Sequence, residues 1–198
     1  MIVLVGCESK PTTPETPTAP ALATKKEPTI YTAKQCFTSM VNLAQRWQPD
    51  ALPFHLESEL TTETNGQEGK ATIWRAYFGS ASRGTMKTFV CSGSRVPSAP
   101  ASGFTSTAET PYAPNVPGLM FQTSYLQTDS DKAFALAQQH GGEALTKKDP
   151  QQPVTYLLDW DGKSKALLWY VIYGKNQSES KGIGVINAAS GAFVRAGK

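Results

Sequence analysis

Leu43-Ala44-Gln45-Arg46-Trp47 returns 93 positions later as Leu136-Ala137-Gln138-Gln139-His140. Ala71-Thr72-Ile73-Trp74-Arg75-Ala76-Tyr77-Phe78-Gly79 returns 95 positions later as Ala166-Leu167-Leu168-Trp169-Tyr170-Val171-Ile172-Tyr173-Gly174. The two matches come in the same order at nearly the same offset, as expected of a duplicated unit. A duplication narrows the fold sharply, because whatever packing the first half adopts the second half is expected to repeat.

The periodicities of the two halves agree with that expectation. Ala33, Phe37, Met40, Ala44 and Trp47 fall at three- and four-residue spacing, so the pattern predicts an amphipathic helix capped by Thr32 and stopped by Pro49. The second half predicts a helix over 131–140, capped by Asp129 or Ser130, lined by Ala133, Leu136, Ala137 and His140, and ended by the left-handed stop Gly141-Gly142. Strand-like runs follow each helix, over 54–60, 70–78 and 85–91, then over 154–160, 166–173, 182–187 and 192–195, with Asn65-Gly66, Asp161-Gly162 and Ser190-Gly191 as turns. The expected fold class is α+β: two repeats of one helix followed by an antiparallel β-meander, packed together. The first repeat spans 30–92 and the second 128–198. The Pro-, Ser- and Gly-rich stretch 93–127 is a linker that touches the core through Met120-Phe121.

Ahead of the first repeat, Leu4-Val5-Gly6-Cys7 has the residue order of a bacterial lipobox, which ends on the cysteine that receives lipid. Residues 1–7 read as the remnant of a lipoprotein signal, since Met1 to Leu4 supply only a short apolar run and no charge. The stretch 8–29 carries Pro11, Pro14, Pro17, Pro20 and Pro28 among Thr, Ala, Lys and Glu, with Leu22 as its one large aliphatic residue. Such a run buries nothing and reads as a disordered, extended tether between membrane and body.

About 170 residues remain, enough for one ordinary domain or two small units sharing a core. Nineteen Lys and Arg against sixteen Asp and Glu are scattered singly, which argues against a nucleic-acid surface. With Cys7 lipidated, Cys36 and Cys91 are left: a candidate disulfide in an exported protein, or two buried thiols.

The second half resembles a known family. The helix opening Asp129-Ser130-Asp131-Lys132-Ala133, its close at His140-Gly141-Gly142, the strand Leu168-Trp169-Tyr170-Val171 and the ending Val185-Ile186-Asn187-Ala188-Ala189-Ser190-Gly191 together are similar to a PepSY domain. The whole chain resembles tandem PepSY-like lipoproteins of bacterial envelopes. That resemblance implies a module that binds or inhibits peptidases or serves as an envelope accessory domain, and it implies no catalytic residues.

The search for chemistry in the residues themselves gives the same expectation. His55 and His140 are the two histidines. His140 sits where an imidazole meets a helix C-terminal dipole. His55, Glu57 and Glu59 alternate along one strand and read as a solvated face rather than a metal site, while Asp159 and Asp161 read as turn-shaping residues. No metal, cofactor, nucleic acid or catalytic set is expected. The function expected is a non-enzymatic, lipid-anchored binding module of the bacterial cell envelope, on the periplasmic or other extracytoplasmic side. Its partners would be the membrane, through Cys7, and an envelope protein or peptide, such as a peptidase that it modulates. Trp160, Tyr170 and Tyr173 are the candidate binding face. The alternatives are a purely structural envelope lipoprotein and, less favoured, a hydrolase accessory enzyme.

Overall fold

The computed structural model describes residues 1–2 and 26–197. Cys7 and most of the 8–29 segment therefore lie outside the described residues. The body begins where Thr29 donates its backbone N–H to the Gly93 carbonyl at 2.9 Å. Strand β1 (Tyr31–Thr32) leads into helix α1 (Ala33–Trp47), whose inward stripe of Ala33, Cys36, Phe37, Met40 and Ala44 is buried. Gln35 reaches back to accept the Thr32 N–H at 2.8 Å, closing one orphan donor of the helix start.

The chain then runs through β2 (Leu52–Glu59), β3 (Lys70–Ala71, paired with β1), β4 (Ile73–Ser80) and β5 (Thr85–Ser92). Two short strands follow, β6 (Gly103–Ser106) and β7 (Thr110–Pro111), both within the stretch expected to be a linker. Helix α2 (Ser130–Ala137) passes through a π-turn at Gln138–Gly142 into α3 (Glu143–Lys148). Gly141 does take a left-handed φ of 107°, yet the chain resumes helix rather than stopping there. The C-terminal strands are β8 (Val154–Asp161), β9 (Ala166–Tyr173), β10 (Ile183–Asn187) and β11 (Phe193–Gly197).

These strands do not form the two helix-plus-meander repeats expected from the duplication, and the α+β assignment of packed PepSY-like units is overturned. They make one nine-stranded antiparallel sheet in the order β11-β10-β9-β8-β2-β4-β5-β6, with β7 also pairing on β5. The physical cause is the pairing of β2 with β8, in which His55, Leu56 and Glu57 face Asp159, Leu158 and Leu157. That ladder satisfies backbone groups that would otherwise be left at two sheet edges. The two meanders thus fuse side by side instead of stacking face to face, and the molecule is mostly β.

Both longer helices lie on one face of the sheet over a common core. Trp74 and Trp169, each 0 % exposed, meet edge to face with ring centroids 6.4 Å apart. Each indole N–H finds a carbonyl just ahead of a helix, Trp74 that of Tyr31 at 3.0 Å and Trp169 that of Thr128 at 2.9 Å. The helices are also fastened to each other at their starts. Ser130 Oγ accepts the Ala33 N–H at 2.9 Å and donates to the Gly69 carbonyl at 2.6 Å, while Asp129 Oδ1 accepts the Lys34 N–H at 2.9 Å. Residues that open α2 therefore satisfy the free N–H groups of α1. Part of the other sheet face is covered by the stretch after β7: the Phe121 N–H donates to Pro53 O at 2.9 Å, and a Cβ at Gly79 would strike Met120. Among the described residues no helix is long and apolar enough to cross a membrane.

Candidate functional site

Strand alternation sends Leu56 into the helix-side core and turns His55, Glu57 and Glu59 to the opposite face. The β2–β8 ladder then sets Asp159 directly beside His55, 104 residues away in sequence. His55 Nδ1 lies 2.5 Å from Asp159 Oδ1, and its Nε2 lies 3.5 Å from Glu57 Oε2. From β4, Tyr77 donates its hydroxyl to Glu57 Oε1 at 2.7 Å and sets its ring edge-on to His55 at 5.2 Å. One register step away Arg75 clamps Glu59, with Nη2 at 2.6 Å and Nε at 2.7 Å. His55, Glu57 and Glu59 are accordingly half-buried members of a charge network, and the solvated face expected for them is corrected.

The electrostatics of this network follow from its geometry. Burial alone would lower the His55 pKa, but the Asp159 and Glu57 carboxylates outweigh it and raise the imidazole to about 9. The hydrogen bond from His55 holds Glu57 below the usual carboxylate range, and burial beside Glu57 pushes Tyr77 up to about 12. At neutral pH the ring is an imidazolium whose two N–H groups both face carboxylates. It has no lone pair with which to take a proton, so the geometry suits it to holding β2 against β8 rather than to general-base work. Among the described residues no group of three or more His, Cys, Asp or Glu side chains is arranged to hold a metal ion.

Asp161 stays at the turn, where its carboxylate accepts the Lys163 N–H at 3.2 Å and the Ser164 hydroxyl at 2.6 Å. The three aromatics expected to share a binding face do not share one. Tyr173 is 2 % exposed and belongs to the helix-side core, whereas Tyr170, lying between the core residues Trp169 and Val171 on the same strand, points to the opposite side. Trp160 is half-buried, packs at a 45° tilt against Tyr125 with ring centroids 5.4 Å apart, and lines a hollow of about 360 Å³ with Phe54, His55, Leu119 and Asp159. Cys36 and Cys91 are joined by a disulfide with Cα atoms 5.7 Å apart, both side chains buried, tying α1 to β5. His140 is exposed at the π-turn, its ring stacked on Phe193 with centroids 3.8 Å apart.

A larger cleft of about 710 Å³ opens beyond the ends of β2 and β4, lined in part by Glu59, Thr61, Thr62, Thr64, Asn65 and Lys175. Neither this cleft nor the His55–Asp159 pair was legible in the sequence. Both depend on residues brought together by the β2–β8 junction, and alternating patterns tell which face a residue takes but not which strand lies alongside.

No family model matches the chain, and no curated protein matches it. Its fold is similar to that of a solved crystal structure described as a candidate lipoprotein from Clostridium difficile 630, with a TM-score of 0.51 over 81 % of this chain and 91 % of that one. The two sequences are 11 % identical, so the likeness is one of fold.

Proposed function

We propose that this protein is a non-enzymatic, lipid-anchored binding module of the bacterial cell envelope, held to the membrane through Cys7. The observation that carries the extracytoplasmic part of this reading is the buried Cys36–Cys91 disulfide, because such bonds persist in oxidising compartments outside the cytoplasm. The lipobox order Leu4-Val5-Gly6-Cys7 and the proline-rich stretch after it support the anchor. So does the fold shared with a candidate lipoprotein. The absence of catalysis is supported by the His55 network, in which each ionisable group already answers another.

The partner class that fits is an extended segment of an envelope protein. β11 has an outer edge that pairs with nothing among the described residues, and Val194 stands 47 % exposed on it, so a strand could be added there by backbone hydrogen bonds. Metabolic labelling with palmitate tests the anchor, using the gene with its full signal. The protein should take up label and partition with membranes, and Cys7→Ser should abolish both. A serine variant that remains labelled, or a native protein that never is, overturns the reading.

A further inference from the structure

The β2–β8 ladder covers only His55, Leu56 and Glu57, and a hollow of about 360 Å³ lies where the two strands part, lined by Phe54, His55, Leu119, Asp159 and Trp160. His55 and Asp159 form the rung nearest the start of β2. Just ahead of it, a register shift between Pro53 and His55 takes Phe54 out of the pairing with β4, and such bulges re-aim the side chains they carry. Consecutive strand residues normally take opposite faces, yet Phe54 with His55, and Asp159 with Trp160, all border one space. Both aromatic walls are held by further rings, Phe54 by Tyr77 with centroids 6.0 Å apart and Trp160 by Tyr125.

The chemistry of the walls defines what would fit. Asp159 engages His55 through Oδ1 alone, its side chain is 37 % exposed, and among the described residues no donor reaches Oδ2. The imidazolium sets one positive charge against the two carboxylates of Asp159 and Glu57, which leaves the trio at −1, while Arg75 is taken up by Glu59. Both imidazolium N–H groups already face carboxylates, so an anion entering the hollow would find no donor on His55 and two like charges. A cation gains twice, because aromatic rings attract it and the open carboxylate oxygen accepts its N–H. A single free oxygen suits the compact charge of an ammonium better than the two-pronged fork of a guanidinium. We propose that this hollow binds an alkylammonium group, with its N–H donated to Asp159 Oδ2 and its methylenes against Phe54, Leu119 and Trp160. The group is either a free amine or the side chain of a lysine in a partner protein. The lysine source rests on the partner-binding reading above, and the free amine does not.

The test is an NMR titration of the full chain with butylammonium, butanol and butyrate, which share a four-carbon chain and differ in charge. Butylammonium should shift the Trp160 indole N–H with a dissociation constant on the order of 10 mM. Butanol should bind about fivefold more weakly, and butyrate not at all. Asp159→Asn keeps the shape of the wall and should bring butylammonium down to the affinity of butanol, with unmoved Trp74 and Trp169 indole signals showing that the core is intact. Trp160→Leu leaves the His55–Asp159 pair in place and serves if the asparagine variant does not fold; read at the Phe54 amide, it should weaken butylammonium about threefold. A blocked peptide with lysine between two glycines that binds more tightly than butylammonium assigns the group to a partner's side chain, and one that binds no more tightly assigns it to a free amine. The proposal is overturned by any of three results: no shift at Trp160, equal affinity for the three ligands, or a folded Asp159→Asn that still prefers butylammonium to butanol.

Discussion

His55 shows how one side chain can take its state from residues far along the chain. An unfolded imidazole titrates near 6.5 and the folded one at about 9, so the folded state holds its proton more tightly. Below the unfolded value both states are protonated and the stabilisation is fully present; it declines as pH rises and is gone above the folded value. With the ring 25 % exposed, a contribution of about 1–2 kcal/mol is expected after screening by solvent. Urea unfolding of the native protein and of His55→Gln, each measured below 6.5 and again above 9, should show the native chain losing this extra stability and the variant not losing it. Equal losses in both would remove His55 from its place between the carboxylates. The sequence identified His55, Glu57 and Asp159 as residues to weigh, and the alternation of β2 correctly puts the first two on one face. It could not supply the ion pairing, because the partner strand is reached only through a ladder between residues 104 apart.

At the level of elements, two fastenings hold α1 in place. The Cys36–Cys91 disulfide closes a sequence separation of 55 between α1 and β5, and its loss should cost about 4 kcal/mol in the chain-entropy model. Counting thiols on unreduced protein with Cys7→Ser should find none, and the melting temperature should fall sharply on reduction. Two titratable thiols would show the bridge to be missing. The second fastening is Ser130, fully buried, whose hydroxyl both accepts from Ala33 and donates to Gly69. Ser130→Ala leaves a buried N–H and a buried carbonyl unanswered and should destabilise by about 2–3 kcal/mol, read from the urea midpoint. The individual elements were largely legible: α1 starts at its Thr32 cap, and β9 falls at Ala166–Tyr173, where the apolar run lies. The break of the second helix was less so. Gly141-Gly142 carries the signal of a stop; the chain does turn there, through a left-handed Gly141, with Tyr173 packed so closely on Gly142 that no side chain would fit, but it then resumes helix.

Over the whole molecule, the consequence of the β2–β8 ladder is that neither half owns its core. Trp74 from one half touches both Tyr156 and Trp169 from the other, at centroid distances of 5.9 and 6.4 Å, and the helix-side buried residues of both halves form one cluster. The repeat expected from the sequence misled at this scale because similar local patterns are compatible with stacked units and with a fused sheet alike; the choice lies in which edges pair. Each half alone has about the size at which a core is marginal. Trp74→Ala and Trp169→Ala should each cost about 3–5 kcal/mol and broaden neither transition, since a cavity on either side weakens the same cooperative unit. The most direct measurement is calorimetry of the intact chain beside separately expressed residues 30–95 and 125–198. The fused sheet predicts one transition in which calorimetric and van't Hoff enthalpies agree, and no cooperative melting in either fragment. Two fragments that fold and melt alone as they do when joined would contradict it.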